Sequence, residues 1–208
     1  MIFRFLLLIF LMIFSLPSFA LQKGSVEYDG VYVDYSVLNG SGILKSADSH
    51  FEQYEVSHDS KMLSTAMGEY YTVTKIYPLD LYPVVQLART YDESGLDKFA
   101  KEYFSKALSM DKENAYLNYY YGDFYFKREQ YRRALKLFKR SYNNGYDNVY
   151  DINFKIATIY EKLADLNSAK YYYNKAYSIN PSASALKDKV MQIESLNYDK
   201  SDYYREKK

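Results

Sequence analysis

The sequence predicts an all-α fold, a solenoid of stacked helix-turn-helix pairs with a helix capping its carboxyl end, and three observations carry that expectation. Small and aromatic residues recur at an interval of 34 to 35 positions. Within each interval their spacing fits two short amphipathic helices. After the last interval, Leu186, Val190 and Ile193 mark one apolar helical face with Lys187, Asp188, Lys189 and Glu194 off it. A single helix pair cannot bury its apolar stripes alone, so neighbouring pairs must stack.

The units start at Leu81, Ala115 and Tyr150. The first carries Leu87, Ala88, Tyr91, Ala100, Phe104 and Ala107; the second carries Tyr121, Gly122, Tyr125, Ala134, Phe138 and Ser141. The third carries Ile156, Ala157, Tyr160, Ala169, Tyr173, Ala176 and the terminating Pro181. Small side chains belong where two helices approach most closely, which sets Ala88, Gly122 and Ala157 against Ala100, Ala134 and Ala169. Rings fill the wider gaps.

This pattern resembles the tetratricopeptide repeat, and the resemblance covers 81–183. It implies a right-handed superhelix whose inner groove, made by the first helix of each pair, does the binding. Helical geometry and the family's usual arrangement line that groove with Tyr82, Val85, Arg89 and Asp92 from the first unit. The second contributes Tyr116, Tyr119, Asp123, Phe126 and Lys127, and the third Phe154, Thr158 and Lys162. Rings with charges of both signs suit an extended peptide or a partner's helix. The plainer alternative is that some of these rings serve packing between units. One branch of the family grips a chaperone's terminal carboxylate with Lys, Asn and Arg side chains. Here Val85, Arg89, Tyr120, Asp151 and Lys155 hold those places, so that clamp is not present.

Residues 1–20 read as a secretory signal peptide: Arg4, an apolar run from Phe5 to Phe14, then Pro17 and small residues before a break after Ala20. A retained anchor is the alternative, since a bilayer needs about 20 apolar residues. Export follows in either case, to the periplasm or the medium if the segment is cleaved and to the inner membrane if it is not. There is no cysteine, which excludes disulfides, thiolate metal sites and a lipoprotein anchor.

Between the signal and the first unit, 21–46 reads as an extended or hairpin-like arm. Residues 47–80 read as a degenerate capping repeat, with Ala66, Tyr70, Val73 and Pro78 in second-helix slots but Tyr54 and Ser57 misplaced in the first helix. Residues 184–208 read as the capping helix followed by a polar tail that frays from 197 onward. The formal net charge is +1, yet 47–80 holds two basic against six acidic residues and 115–149 seven against three. The basic excess falls at Lys127, Arg128, Arg132, Arg133, Lys136, Lys139 and Arg140, several on one outer helical face. A solvated face is the plainer reading; docking on an acidic partner, an anionic lipid surface or a polyanion is the other.

No catalytic set, cofactor motif or metal site is legible: His50 and His58, the only histidines, meet no standard ligand spacing, and no phosphate loop is present. The expectation is therefore a non-enzymatic, exported interaction module binding a protein or peptide, as a cell-envelope scaffold or assembly factor, with no nucleic acid. The alternatives are a membrane-anchored structural factor and a glycan-binding accessory domain using some of the 27 tyrosines.

Overall fold

The computed structural model describes residues 25–28, 31–34 and 38–205, with side chains for 38–195. The signal segment expected at 1–20 lies outside the described residues. The chain divides into two units, 1–83 and 84–208.

In the first unit, strands β1 (Ser25–Tyr28) and β2 (Val31–Asp34) pair antiparallel, with Val26 opposite Val33. Helix α1 (Gly40–Ser57) follows, so the arm expected to reach 46 ends earlier. Asn39 caps the helix by accepting from the Gly42 amide at 3.1 Å. Helix α2 (Ser60–Ile76) folds back after a two-residue turn in which His58 is left-handed, φ 55°. Its Ala66, Tyr70 and Val73 are fully buried. On α1 the buried small residue is Ala47, two turns before Tyr54, and Phe51 meets Tyr70 edge-on at 6.3 Å. The Tyr70 hydroxyl donates to Asp48 at 2.7 Å, and Ser46 and His50 both bond Glu69. The His50 ring thus meets a carboxylate. His58 sits at the turn with its ring 5.9 Å from Tyr54.

Helix α3 (Leu81–Glu93) begins in the first unit and continues into the second. The second unit then adds α4 (Asp97–Met110), α5 (Ala115–Lys127), α6 (Tyr131–Ser141), α7 (Tyr150–Lys162), α8 (Leu166–Ile179) and α9 (Ser184–Arg205). The pairs are α3/α4, α5/α6 and α7/α8. Ala88, Ala100, Ala134, Ala157 and Ala169 are fully buried, as small residues at close helix contacts must be. At Gly122 an added Cβ would stand 2.8 Å from the Phe138 ring, so glycine is required by a facing side chain.

Each pair turns through a left-handed residue in the same slot: Gly95 (φ 70°), Glu129 (φ 56°) and Ala164 (φ 61°). Only the first has the residue that enters this region without steric cost. The repeat from Ala115 is one residue longer than the repeat from Leu81, and the extra residue is absorbed in a π turn at Tyr142–Tyr146, where Gly145 takes φ 110°. Ser141, in a slot the other pairs give to alanine, donates to the Ala115 carbonyl at 2.7 Å.

A polar pair recurs inside this core. Asn118 and Asn153 are fully buried. Asn118 donates to the carbonyls of Lys112 and Asn114 at 2.8 and 2.7 Å; Asn153 donates to those of Asp147 and Val149 at 2.9 and 2.7 Å. Each therefore ties down the loop that enters its helix. In both, Oδ1 is buried without a donor, because the two carbonyls fix which end of the amide faces them. An unmet acceptor of this kind costs about 1–3 kcal/mol, which sets the scale of the loop bonding that retains it.

The end of the second unit is closed by α9. Leu186, Val190 and Ile193 pack with Ala157, Ala169, Tyr173 and Ala176 in one cluster, each large apolar side chain contributing about 1.5–3 kcal/mol on full burial. The fraying expected from 197 does not appear in the backbone. The helix runs to Arg205, because no glycine or proline interrupts 184–205 and helical propensity carries it past its last buried residue. Among the described residues no helix is long and apolar enough to cross a membrane.

Candidate partner-binding face

The inner face of the second unit is made by α3, α5 and α7, whose polar residues join one helix to the next. Lys127 on α5 reaches Asp92 at 3.1 Å and Glu93 at 2.5 Å, both on α3. Lys155 on α7 reaches Asp123 on α5 at 2.6 Å. Glu161 on α7 accepts from Lys189 on α9 at 2.8 Å. These three rungs span the stack, an acid on each inner helix holding a base on the next. Arg128 reinforces the first, bonding Asp92 at 2.7 Å and also Asp97.

Burial makes these pairs more than surface decoration. Asp92 is 7% exposed, and Asp123 and Lys155 are each 17% exposed, so the surroundings screen them less than water would. Burial pulls the Lys155 ammonium toward its neutral form, but Asp123, Tyr119 and Asp151 outweigh it and hold the pKa well above the ordinary lysine value. Lys127 is raised likewise, burial opposing and Glu93, Asp92 and Asp123 prevailing. For Glu161, burial acts upward, and the bonds from Lys189 and Tyr173 bring the net pKa below the usual carboxylate range. These ammonium groups stay protonated and this carboxylate stays ionised near neutrality, which suits recognition and cohesion and not proton transfer.

Beside the first rung lies a ring cluster. Arg89 sits 3.9 Å over the Tyr120 ring and donates to Gln86 Oε1 at 2.8 Å, and the Tyr116 hydroxyl donates to the same oxygen at 2.9 Å. Tyr116 and Tyr120 meet edge-on at 4.6 Å. Further along, Phe154 stacks on Tyr150 at 6.1 Å. These four rings are half-buried.

The residues read from sequence as groove lining divide accordingly. Arg89, Asp123 and Lys127 line one recess, with Tyr116 bonded beside Arg89; Phe154 instead meets Tyr150 and Tyr173 near the carboxyl-terminal cluster, and Lys162 is exposed. Thr158 bonds its own helix through the Phe154 carbonyl at 2.9 Å. Val85, expected in the groove, is fully buried because an apolar β-branched side chain there joins the core. Phe126 packs on Tyr131 and Phe138 of its own pair, at 6.0 and 6.2 Å. Tyr119 bonds Asp151 and Lys155 and packs on Phe138 and Tyr146, and burial drives its hydroxyl pKa well above the ordinary tyrosine value. Tyr82 belongs to the first unit, where its hydroxyl donates to Asp48 at 3.0 Å. Tyr120, Asp151 and Lys155, which hold the places of the absent carboxylate clamp, also bond within this face, and Gln86 joins them without having been expected. Lys155 sits 32 residues from Asp123, off the repeat interval, so periodicity does not expose the rung.

No group of three His, Asp or Glu side chains among the described residues is placed to hold a metal ion. The recess between Arg89, Asp92, Tyr120, Asp123 and Lys127 holds only about 40 Å³, room for a water or two.

Comparison with known proteins agrees with this architecture. The tetratricopeptide repeat model matches residues 84–114 and 150–182. The intervening stretch is not matched, although it folds as the same helix pair. No curated protein sequence matches the chain. Among solved structures, the MamA protein is similar with a TM-score of 0.62 and 19% identity over 80% of this chain and 88% of that one. Pseudomonas aeruginosa pilF gives 0.62 and 17% over 76% and 72%. The Cut9-Hcn1 hetero-tetramer of the APC/C gives 0.61 and 13% over 76% of this chain and 30% of that one. At these identities the likeness concerns the fold, which is a tetratricopeptide-type all-α solenoid.

Proposed function

We propose that this protein is an exported, non-enzymatic binding module that receives an extended peptide or a helix of a partner protein across the inner face of its second unit. The observation that carries the reading is the half-buried row of Tyr116, Tyr120, Tyr150 and Phe154 beside charges already matched in pairs. The rings offer apolar area at low entropic cost. The paired charges fix register without leaving a desolvated ion unmatched. A neighbour in fold solved as a hetero-tetramer shows the same architecture engaged with another protein. Export rests on residues 1–20, and gives the module a place in the cell envelope as a scaffold or assembly factor.

The test is capture of partners from an envelope fraction by the wild type and by Tyr120→Ala with Phe154→Ala. Truncating two anchors is expected to weaken capture by tenfold or more, at about 2 kcal/mol for each well-packed anchor, with helicity unchanged. Equal capture by both proteins contradicts the reading.

A further inference from the structure

The three outer helices, α4, α6 and α8, carry ten basic and two acidic residues, whereas the three inner helices, α3, α5 and α7, carry four and five. Of the two outer acids, Asp97 is already held by Arg128. On α6, Arg132, Arg133, Lys136 and Lys139 are all exposed, and Lys98 and Lys101 are exposed on α4. Among the described residues none of these six is within ion-pair distance of a carboxylate. Arg133 bonds the neutral Gln130, and Lys139 lies 5.7 Å over the Tyr160 ring.

Solubility does not explain this arrangement, because it works against the helix that bears it. Arg132 and Arg133 occupy the first turn of α6, where the backbone dipole disfavours cations, and α6 contains no acidic residue. Lys136 lies three or four residues from Arg132, Arg133, Lys139 and Arg140, and like charges at those spacings repel. Interspersed acids would keep the face equally soluble and remove both penalties. A local rule broken at several neighbouring positions marks a surface shaped by something outside the fold.

From this we infer that the outer face of α4 and α6 docks on an anionic lipid bilayer. The cations spread over two helices instead of converging on a cleft, as a sheet of headgroups requires and a single peptide does not. Apolar side chains stand among and beside them: Phe99 between Lys98 and Lys101 is 46% exposed, and Leu96 just before α4 is 40% exposed. Basic residues mixed with exposed aromatic and aliphatic ones are the composition of an interfacial contact. The chain's own apolar run from Phe5 to Phe14 brings it to a bilayer, whether it is cleaved there or retained. This surface is separate from the inner face, and its role stands or falls independently of the peptide-binding reading.

The experiment is flotation of the full chain with vesicles of equimolar phosphatidylcholine and phosphatidylglycerol, and with phosphatidylcholine alone. Binding to the anionic vesicles is expected to exceed binding to the neutral ones about tenfold or more at low salt and to shrink as salt screens the contact. Arg132→Glu with Lys136→Glu is expected to remove most of that difference while far-UV helicity stays constant. Equal partition onto both vesicles, as the apolar segment inserting alone would give, overturns the proposal. So does a charge-reversed variant that binds like the wild type, or tighter capture of soluble polyglutamate than of vesicles at equal anionic charge.

Discussion

The inner and outer helices of the second unit use the same charged residue types in opposite ways. Inside, Asp123, Lys127, Lys155 and Glu161 are matched helix to helix, and the pairing runs from α3 to α9. Outside, Arg132 and Lys136 face solvent from a helix without a carboxylate. The inner charges therefore act as cohesion between stacked pairs, and the outer ones act toward something beyond the chain. Net charge, at +1, hides this separation completely.

The sharpest way to break the comparison is at the seam between the two layers. Gly122→Leu drives a branched side chain into the Phe138 ring, where even a Cβ would stand at 2.8 Å. Overpacking there is expected to cost about 3 kcal/mol, read as a fall in the denaturation midpoint. Next comes the middle rung. Asp123→Ala leaves Lys155 half-matched and is expected to cost about 2 kcal/mol. The same measurement on Lys136→Ala is expected to move stability by no more than about 0.5 kcal/mol, and upward, since it relieves repulsion. A somewhat larger gain, of about 0.5–1 kcal/mol, is expected from Ala164→Gly, which frees the left-handed turn from the penalty of a Cβ.

Alkaline titration separates the layers in another way. Lys155 and Lys127 hold their protons more tightly in the folded chain than at the ordinary value of 10.5. Above pH 10.5 the unfolded chain sheds protons that the folded chain keeps, so stability falls as pH rises through the folded values. Lys155→Met is expected to flatten that decline.

What the sequence made legible follows from what repeats. Ala88, Gly122, Ala134 and Phe138 recur because every pair meets its neighbour through the same contacts, so the helix pairs of 81–183 could be read in register. Asn118 and Asn153 recur at the same interval, 35 residues apart, and that signal went unread because polar residues were not sought in the core. The left-handed turn at Glu129 and Ala164 was likewise announced by Gly95. The ladder was not legible as a whole, because its middle rung joins helical positions that the first does not use, 32 residues apart and off the repeat interval. The contacts of Phe126 and Tyr119 with Phe138 were not legible for a related reason: spacing does not show how far a ring reaches sideways.

The most direct test of the ladder is a double-mutant cycle on Asp123 and Lys155, using Asp123→Asn, Lys155→Met and the double variant in equilibrium denaturation. A coupling of about 1 kcal/mol or more is expected, since the two groups touch at 2.6 Å with little solvent between them. The control cycle on Arg132 and Glu102, outer-face residues that form no ion pair with each other, is expected to give coupling near zero. Equal coupling in the two cycles would contradict the distinction between an inner face that binds itself together and an outer face that does not.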